Sequence, residues 1–437
     1  SLFPNDCKVA KLKPIYKKEA KTNPKNYRPI SLLPLISKII ERIIYNQTQE
    51  FLDENNILYK YQSGFRKKHS TDSSLSYLND KILQGFDNGM LTGMILIDLQ
   101  KAFDTINHDI LLEKMAYLGF SKSVITWFRS YLENRYFVVN IDNTLSIPGK
   151  LTCGVPQGSI LGPLLFLLYV NDMPQAVNCE ILLYADDTCL IFTDKNIKTI
   201  EEQLNKNFNT LCDWFIDNKL SIHFGEEKTK TILFGTKRRL KNLNDLDIRR
   251  GDIKIKQHTE VTYLGCILNN NLSGESMATK VLTKINGRLK FLYRKQTFLN
   301  NSLRRLLCNA LIQPHCDYAC SAWYPNLSKR LTKKIQTSQN KCIRYCLKLG
   351  NRTHIGNDEF TKINWLPTKE RFEQCVCVNI FKFFNNSSPA YFSEIYNRFD
   401  QRQNTRSSKF KLHLPQRTSN KGQKGISYLG PRSRTWN

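Results

Sequence analysis

Two adjacent carboxylates interrupt an otherwise apolar segment at residues 181–192. Asp186 and Asp187 separate two short runs, 181–184 and 188–192, whose aliphatic and aromatic content is typical of buried strands. We therefore predict a hairpin with both acids at its turn. A buried carboxylate is costly unless it is paired or bound to a cation, which indicates a metal site. Asp is also a common turn residue, so this segment alone leaves both interpretations open.

The chain carries a large excess of positive charge. Its 437 residues include 65 Lys and Arg against 38 Asp and Glu, a formal charge of +27. This excess favours a polyanionic partner, most commonly nucleic acid. A membrane surface is the competing partner, but the longest apolar run, residues 160–170, is too short to span a bilayer. We expect a globular protein that binds nucleic acid and does not associate with membranes.

Thirteen cysteines are scattered along the chain without paired Cys-x-x-Cys spacing. Their odd number and their positions in apolar stretches indicate free thiols in a reducing compartment, the cytosol or nucleus. The histidines lack the spacing of metal ligands, so no zinc site is expected. The chain starts at Ser1 without a signal-peptide pattern, and we expect it to be a portion of a longer protein.

Helical and strand patterns alternate along the sequence, as in an α+β protein. Helical spacing covers residues 37–55, 75–82, 109–132 and 198–220, and it resumes with many basic residues beyond 272. The first of these helices collects its apolar residues on one side: Ile39, Ile40, Ile43, Ile44 and Phe51. Ser70 or Thr71 can cap the second. Strand patterns cover residues 94–99, 136–147, 231–234 and 261–268.

Asp98 also ends an apolar strand. Two such strands lie about 4.8 Å apart when they are neighbours in a sheet, which would bring Asp98 close to Asp186 and Asp187. Three carboxylates repel one another unless cations intervene. Two Mg²⁺ ions about 3.5–4 Å apart would neutralise them and would serve in-line nucleotidyl transfer. Oxygen ligands favour Mg²⁺ over softer metals.

A Gly- and Pro-rich loop at residues 154–163 leads into a strongly apolar helix. Gly158 permits close approach of another backbone, and Gln157 offers both a donor and an acceptor beside it. Taken alone, the loop is also consistent with an ordinary turn and helix cap.

The order of these segments resembles that of reverse transcriptases, specifically the LINE-type, jockey-like enzymes of non-LTR retrotransposons. Asn-Tyr-Arg-Pro-Ile-Ser-Leu-Leu-Pro at residues 26–34 is similar to the opening signature of the family, and Gln-Ser-Gly-Phe-Arg at 62–66 to its fingers motif. Residues 96–104, 154–163 and 184–187 resemble motifs A, B and C. The similarity continues through motif D, the primer grip and the thumb and downstream regions, at residues 218–220 with 228–229, 263–265, 318–323 and 427–431 with Trp436.

This resemblance implies a right-hand polymerase fold of class α+β, with fingers, a palm built on an antiparallel sheet, a helical thumb and a basic C-terminal extension. The expected domains are an N-terminal extension with fingers (1–90), a palm with an interleaved fingers segment and primer grip (91–270), the thumb (271–350) and the extension (351–437). The forty last residues are strongly basic and could form either a solvated tail or a phosphate contact.

The implied function is RNA-directed DNA polymerisation, in which deoxynucleotides are added to a primer 3′-OH by two-metal nucleotidyl transfer. Asp98, Asp186 and Asp187, with the Leu99 carbonyl, would hold two Mg²⁺ ions, for which Mn²⁺ could substitute. Lys228 would act as a general acid toward the leaving pyrophosphate, with a solvated surface Lys as the alternative. The implied partners are an RNA template, a DNA primer or target DNA, and dNTPs.

Four further residues would face the nucleotide. Arg66 would bind the triphosphate, and the alternative is that it contacts solvent. Phe103 would exclude a 2′-OH, and the alternative is that it packs in the core. Gln157 and Gly158 would line the nucleotide or templating base. The primer end would be positioned by Tyr263, Leu264 and Gly265.

Two rival functions use the same features. A domesticated, inactive polymerase fold would keep the charge and the core as an RNA-binding scaffold, but it could lose the three acids, which are present here. A group II intron or telomerase-like reverse transcriptase would be indicated by a paired-Cys module or an added RNA-binding domain, neither of which is visible. We expect a ribonucleoprotein of nucleus and cytoplasm, from a parent element whose endonuclease lies outside this chain. The sequence does not predict an oligomeric state.

Overall fold

A computed structural model of the protein describes residues 2–17, 20–396, 412 and 414–432. Helices and strands alternate along the chain, as an α+β protein requires. The strands are β1 (Val9–Tyr16), β2 (Tyr27–Leu32), β3 (Leu91–Ile97), β4 (Arg135–Ile141), β5 (Thr144–Leu145), β6 (Gly149–Leu151), β7 (Glu180–Tyr184), β8 (Asp187–Asp194), β9 (Lys230–Phe234), β10 (Ile248–Arg250), β11 (Ile253–Ile255), β12 (Glu260–Tyr263) and β13 (Cys266–Asn269).

The helices are of very unequal length, from four residues to 21. They are α1 (Leu35–Glu54), α2 (Thr71–Asp87), α3 (His108–Tyr117), α4 (Lys122–Leu132), α5 (Gly162–Tyr169), α6 (Ile197–Asp217), α7 (Lys237–Leu240), α8 (Glu275–Arg294), α9 (Asn301–Leu311), α10 (Gln313–Asp317), α11 (Cys320–Trp323), α12 (Lys329–Leu347), α13 (Asn357–Ile363), α14 (Thr368–Phe384), α15 (Phe392–Ile395) and α16 (Ile426–Arg432).

The chain divides into two compact units, each of which is discontinuous in sequence. The first comprises Ser1–Arg66, Leu96–Leu190 and Asn205–Thr229. The second comprises Lys67–Ile95, Ile191–Leu204 and Lys230–Asn437. The domain boundaries expected from the family resemblance, after residues 90, 270 and 350, stay a prediction.

The first unit contains a five-stranded sheet in which β1 is central. It pairs antiparallel with β2 and parallel with β4, which also carries β5 and β6. The sequence analysis identified strand pattern only in the β4 and β5 region. In β1 the inward positions include Ala10 and Leu12, and the outward positions include Lys11 and Lys13. The alternation is present, but its small and basic residues make it weak.

A second sheet has the strand order β7-β8-β3-β9. Six of the seven residues of β3 are buried, as the predicted apolar strand before Asp98 requires. The predicted apolar helix after the Gly-rich loop is α5, which is buried all round except at Pro163. A helix that is apolar on every face belongs in a core, and α5 occupies one here.

Helix α1 buries its polar side. Ile39 and Ile43, on the predicted apolar side, are 55% and 54% exposed, whereas Ser37 and Glu41 are fully buried. The Glu41 carboxylate accepts the backbone N–H of Ile160 at 2.6 Å and a hydrogen bond from the Ser37 hydroxyl. Because the buried acid is satisfied by these donors, the helix can turn its isoleucines outward.

Two predicted segments are each divided by a turn. Residues 109–132 form α3 and α4 rather than one helix, and residues 261–268 form the hairpin β12–β13 rather than one strand. Ser70 caps α2 as predicted, through a capping box with Ser73. All thirteen cysteines are free thiols. In the described part of the chain, no helix has the length and apolar character needed to cross a bilayer.

In the second unit, the end of the described chain packs against α2. The buried Asp80 carboxylate accepts hydrogen bonds from the backbone N–H and the hydroxyl of Ser427, at 3.0 and 2.8 Å. Asp87, two α2 turns further on, accepts the N–H of Ser419 at 2.6 Å. Burial raises the pKa of Asp80, and the hydrogen bonds from Ser427 oppose that rise.

Because of this docking, residues 414–432 do not form a solvated tail, whereas a phosphate contact by their basic residues stays a prediction. Five further basic residues of the extension lie outside the described residues, as does Trp436; they are Arg398, Arg402, Arg406, Lys409 and Arg434.

Candidate active site

The predicted acidic hairpin is present in the first unit. Ala185 and Asp186 form a tight turn between β7 and β8, and Asp187 is the first residue of β8. Ala185 adopts the left-handed backbone conformation, with φ of +56°, which is uncommon for a residue with a side chain. Both carboxylates lie at the turn end of the hairpin, beyond the buried part of the strands.

Gln62 holds this turn in place. Its Oε1 accepts the backbone N–H of Ala185 at 2.9 Å and that of Gly64 at 2.8 Å. The N–H of Ser63 donates to the Leu183 carbonyl at 2.8 Å. A Cβ on Gly64 would lie 2.2 Å from the nitrogen of Ala185, so only glycine fits there. Residues 62–64 therefore fix the backbone that carries the two acids.

Asp98 follows β3 directly, as predicted, and it is held by residues that precede β9. The Lys228 ammonium donates to Asp98 Oδ2 at 3.0 Å, and the His223 N–H donates to the Asp98 carbonyl at 2.8 Å. Leu99 forms an antiparallel bridge with Ile222. The Lys228 and Asp98 side chains are 31% and 35% exposed, so solvent screens part of their attraction.

The three acids interact electrostatically. Burial, reinforced by the negative charges of Asp186 and Asp98, raises the pKa of Asp187 to about 6, while Lys228 opposes the shift. Burial and the charge of Asp98 also raise the pKa of Asp186, against the positive charges of Arg28 and Lys17. A cation placed among these carboxylates would relieve both the repulsion and the desolvation.

The donor chemistry of this cluster fits a hard divalent cation, since carboxylate oxygens are the ligands such ions prefer. Among the residues that the structure describes, however, no group of three or more His, Cys, Asp or Glu is already arranged to hold a metal ion. Lys228 occupies one oxygen of Asp98 instead. The acids are thus close enough to repel one another, but they do not form a complete coordination shell for a metal ion.

The predicted nucleotide-facing loop packs against β2. The backbone N–H of Ser31 donates to the Gln157 carbonyl at 2.7 Å, and a Cβ on Gly158 would lie 2.6 Å from the Ser31 carbonyl oxygen. Gly158 therefore permits a close backbone approach, as its predicted role requires, and the approaching segment is a strand of the same unit. The Gln157 side chain donates to Asp104 Oδ1 at 2.8 Å. Burial raises the pKa of Asp104.

Phe103 and Arg66 occupy half-buried positions in the same unit. The Phe103 ring stacks on Phe166, with centroids 4.6 Å apart, and meets the edge of Phe65 at 5.9 Å. Arg66 Nη1 donates to the carbonyls of Tyr59 and Gln62, at 2.8 and 3.2 Å. The predicted roles of Phe103 in sugar selection and of Arg66 in triphosphate binding stay predictions.

The predicted primer-grip residues form the β12–β13 turn in the second unit. Leu264 and Gly265 both have positive φ, +46° and +77°, as a two-residue type I′ turn requires. The Tyr318 hydroxyl donates to the Leu264 carbonyl, and the Lys280 ammonium donates to that of Gly265 at 3.0 Å. These two bonds stabilise a turn in which leucine would otherwise be unfavourable.

The structure thus places Asp98, Asp186, Asp187 and Lys228 in one electrostatic cluster. The residues that act on this cluster were not predicted from the sequence. Arg28 and Gln62 lie within the two segments that resembled the opening signature and the fingers motif of the family, so the resemblance could have revealed them. Lys17 gave no comparable signal, because it stands in a Lys-rich stretch. Asp104 lies within the segment that resembled motif A, but its partner Gln157 is 53 positions away in sequence.

Comparison with known proteins agrees with this geometry. The profile of the family described as "Reverse transcriptase (RNA-dependent DNA polymerase)" matches residues 15–268, more than half of the chain and all of the predicted motifs from the fingers to the primer grip. The chain belongs to the reverse transcriptase family. This membership confirms the predicted right-hand polymerase fold class. Reverse transcriptases use divalent metal ions, in agreement with the donor chemistry of the acids.

Curated relatives of the chain come from non-LTR retrotransposons. The chain is 31% identical over 356 residues to the probable RNA-directed DNA polymerase from transposon BS of Drosophila melanogaster. It is 28% identical over 355 residues to the RNA-directed DNA polymerase from mobile element jockey of the same species. Each match covers 78% of this chain but only 38% of the relative. The predicted LINE-type family is confirmed, and the chain spans about two fifths of the length of these relatives.

Among solved structures, the chain is similar to a telomerase from Candida Tropicalis in complex with a TWJ fragment of telomeric RNA. The identity is 14% and the TM-score 0.42, over 88% of this chain and 62% of the telomerase. A likeness this low carries no argument about the site.

We predict that Gln62→Leu will lower the rate of nucleotide incorporation at least tenfold. The substitution leaves two buried N–H groups, those of Gly64 and Ala185, without an acceptor, at about 1–3 kcal/mol each, and it frees the turn that carries Asp186. Primer extension measured as a function of Mg²⁺ concentration provides the test. Gln62→Glu is the matched control, because a carboxylate still offers an acceptor, and it should retain more activity. A Gln62→Leu protein that folds and extends primers at the wild-type rate would show that the turn needs no such support.

Proposed function

We propose that this protein is an RNA-directed DNA polymerase that adds deoxynucleotides to a primer 3′-OH. The observation that carries the proposal is the cluster of Asp98, Asp186 and Asp187, in which burial and then the repulsion between the acids raise the pKa of Asp186 and of Asp187. A cluster of carboxylates with raised pKa values is useful at a site that binds cations together with a polyanionic substrate. The family to which the chain belongs supports the same reaction.

Mg²⁺ is the proposed metal, with Mn²⁺ as a substitute. Asp98, Asp186 and Asp187 would hold it, together with the Leu99 carbonyl. When bound, two such ions would activate the primer hydroxyl and neutralise the triphosphate.

The basic residues around the acids would act on the triphosphate. Arg28 and Lys17 already exert their positive charge on Asp186, so they are placed to attract a polyanion to that side of the turn. Arg66 would add a guanidinium that can donate to phosphate oxygens. Lys228 would donate the proton that the leaving pyrophosphate needs, after leaving its ion pair with Asp98.

Aromatic and amide side chains would select the nucleotide. The Phe103 ring is fixed on one side by Phe166, which would hold it rigidly against the sugar. Gln157 and Gly158 would line the base side of the same site, where the Asp104 carboxylate already orients the Gln157 amide.

The proposed partners are an RNA template, a DNA primer or target DNA, and dNTPs. Helix α8 supports nucleic-acid binding, because it buries an apolar face that includes Val281 and Ile285 and exposes Lys284 and Lys290. Such basic rows track phosphates without reading sequence. The β12–β13 turn, Tyr263 to Gly265, would position the primer end. Free thiols throughout the chain support a reducing location, in nucleus and cytoplasm.

Primer extension on an RNA template, with and without Mg²⁺, tests the proposal. We expect extension that requires the metal, and we expect Asp186→Asn to abolish it while leaving RNA affinity within twofold of wild type. The RNA-binding arm distinguishes a polymerase from an inactive scaffold. Wild-type protein that binds RNA but never extends a primer would establish the scaffold, and an active Asp186→Asn protein would overturn the assignment of the acid.

We further predict that Phe103→Ala will raise incorporation of ribonucleotides relative to deoxynucleotides by at least tenfold, because the small side chain no longer meets a 2′-OH. The ratio of kcat/KM for a matched rNTP and dNTP measures this effect. Phe166→Ala removes the stacking partner and serves as the control for lost packing. If Phe103→Ala and Phe166→Ala change the ratio equally little, Phe103 is a core residue and the sugar is selected elsewhere.

A further inference from the structure

The segment that follows β3 is joined to the Gly-rich loop by backbone contacts within the first unit. The N–H of Val155 donates to the Phe103 carbonyl at 2.9 Å. A Cβ on Gly154 would lie 2.6 Å from the Asp104 carbonyl oxygen, so the two backbones lie in direct contact there. These contacts fix the position of Asp104 relative to the loop that carries Gln157.

The Gln157 side chain has one partnered end and one open end. Its Nε2 donates to Asp104 Oδ1 at 2.8 Å. No described residue donates to its Oε1, and that oxygen is not buried. The backbone of Gln157 is held separately, because its carbonyl accepts the N–H of Ser31 at 2.7 Å. The amide therefore has one partner inside the unit and one position that is open to a ligand.

The charge of Asp104 decides which end of the amide is open. An ionised carboxylate accepts hydrogen bonds and donates none, so only the NH₂ end of Gln157 can face it. Turning the amide over would place Oε1 against Oδ1, and two acceptors repel. Burial raises the pKa of Asp104, whereas the hydrogen bond from Gln157 and the charge of Lys101 favour the ionised form. While Asp104 is ionised, Gln157 offers an acceptor and no donor at its open end.

The direction of this hydrogen bond limits the substrate group that Gln157 can bind. Base edges offer different donors from one nucleotide to the next, and a template-directed polymerase has to use all four bases. The donors that nucleotides share are the hydroxyls of their sugars. Asp104 directly follows Phe103, the residue that the proposed function places against the sugar. A sugar hydroxyl is therefore the group that suits an acceptor of fixed orientation.

We propose that Asp104 is a positioning residue, which holds the Gln157 amide so that Oε1 accepts a hydrogen bond from a sugar hydroxyl. The inference rests on the proposed polymerase function, and it adds the direction of the hydrogen bond and the residue that sets this direction. Two sugars carry a hydroxyl that can act as the donor. The incoming nucleotide has a 3′-OH, and the RNA template has a 2′-OH on each of its sugars.

The test is equilibrium binding of nucleotide to the protein with a template and a dideoxy-terminated primer, a complex in which no chemistry takes place. It is run at about pH 8, where carboxyl groups are ionised. The affinity for a matched dNTP is compared with that for the ddNTP, which lacks the 3′-OH. The comparison is repeated on a DNA template of the same sequence, which lacks the 2′-OH. Wild-type protein should favour the hydroxyl at least fivefold in one of these two comparisons.

Asp104→Asn keeps the shape of the side chain and removes its charge. An Asn amide can accept from Gln157 Nε2 or donate to Gln157 Oε1, so the Gln157 amide loses its single orientation. We expect the preference for the hydroxyl to fall at least threefold. Asp142→Asn is the matched control, since it changes an exposed acid in the turn between β4 and β5, and it should leave the preference unchanged.

A reversed pair of side chains provides a second test. Gln157→Glu places two carboxylates against each other, and it should weaken nucleotide binding at least tenfold. When Asp104→Asn is added to Gln157→Glu, the Asn amide donates to the new carboxylate, whose other oxygen again offers an acceptor to the substrate. The double variant should therefore bind nucleotide at least threefold more tightly than Gln157→Glu alone.

The outcomes separate the two hydroxyls and separate this inference from the proposed function. In Asp104→Asn, a reduced preference for dNTP identifies the 3′-OH as the donor, and a reduced preference for the RNA template identifies the 2′-OH. The proposal is overturned if wild-type protein shows neither preference, if Asp104→Asn retains both, if Asp142→Asn reduces them equally, or if the double variant binds no better than Gln157→Glu. Wild-type protein that shows the preference but never extends a primer would contradict the proposed function and not the role of Asp104.

Discussion

The repulsion among Asp98, Asp186 and Asp187 is the constraint on which the site depends. Two of these acids stand on a tight turn and the third follows a neighbouring buried strand, so the backbone fixes where their charges lie. Burial is the largest cause of the raised pKa values of Asp186 and Asp187, and the repulsion between the acids adds to it. The protein opposes these shifts with cations of its own, Lys228, Arg28 and Lys17, and each of them would also suit a triphosphate substrate.

Buried contacts hold this arrangement together. Gln62 accepts two backbone N–H groups, and Gly64 lets the backbone of the fingers motif approach Ala185 closely. Gly158 permits a similar approach between the Gly-rich loop and β2, and the Glu41 carboxylate accepts the N–H of Ile160 within this loop. Because these contacts involve no exposed charge, salt and substrate do not compete for them. They keep the turn in place although the acids repel one another.

Much of this site could be predicted from sequence, because the carboxylates interrupt apolar strands and because local signals mark the turn. The buried strand before Asp98, the apolar helix α5 and the cap at Ser70 were predicted for the same reason: each is encoded within a few neighbouring residues. The resemblance to reverse transcriptases added the order of the motifs, which family membership confirms.

Other features could not be predicted, because they depend on partners distant in sequence. The polar side of α1 is buried only because Glu41 meets the N–H of Ile160, more than a hundred residues away. The C-terminal segment docks on α2 through Asp80 and Ser427, which are 347 positions apart. The composition indicated a tail there, because the pattern of basic residues gives no sign that the segment docks on a buried acid.

The central claim is that Asp98, Asp186 and Asp187 are arranged for cations that the protein alone does not supply. Mn²⁺ titration followed by electron paramagnetic resonance, with template, primer and a matched dNTP present, tests it most directly. The account predicts two bound ions per chain, and it predicts that Asp98→Asn and Asp187→Asn each weaken Mn²⁺ binding at least tenfold, whereas Asp109→Asn, which changes an exposed acid on α3, does not. Wild-type Mn²⁺ affinity in the Asp98→Asn and Asp187→Asn proteins would contradict it.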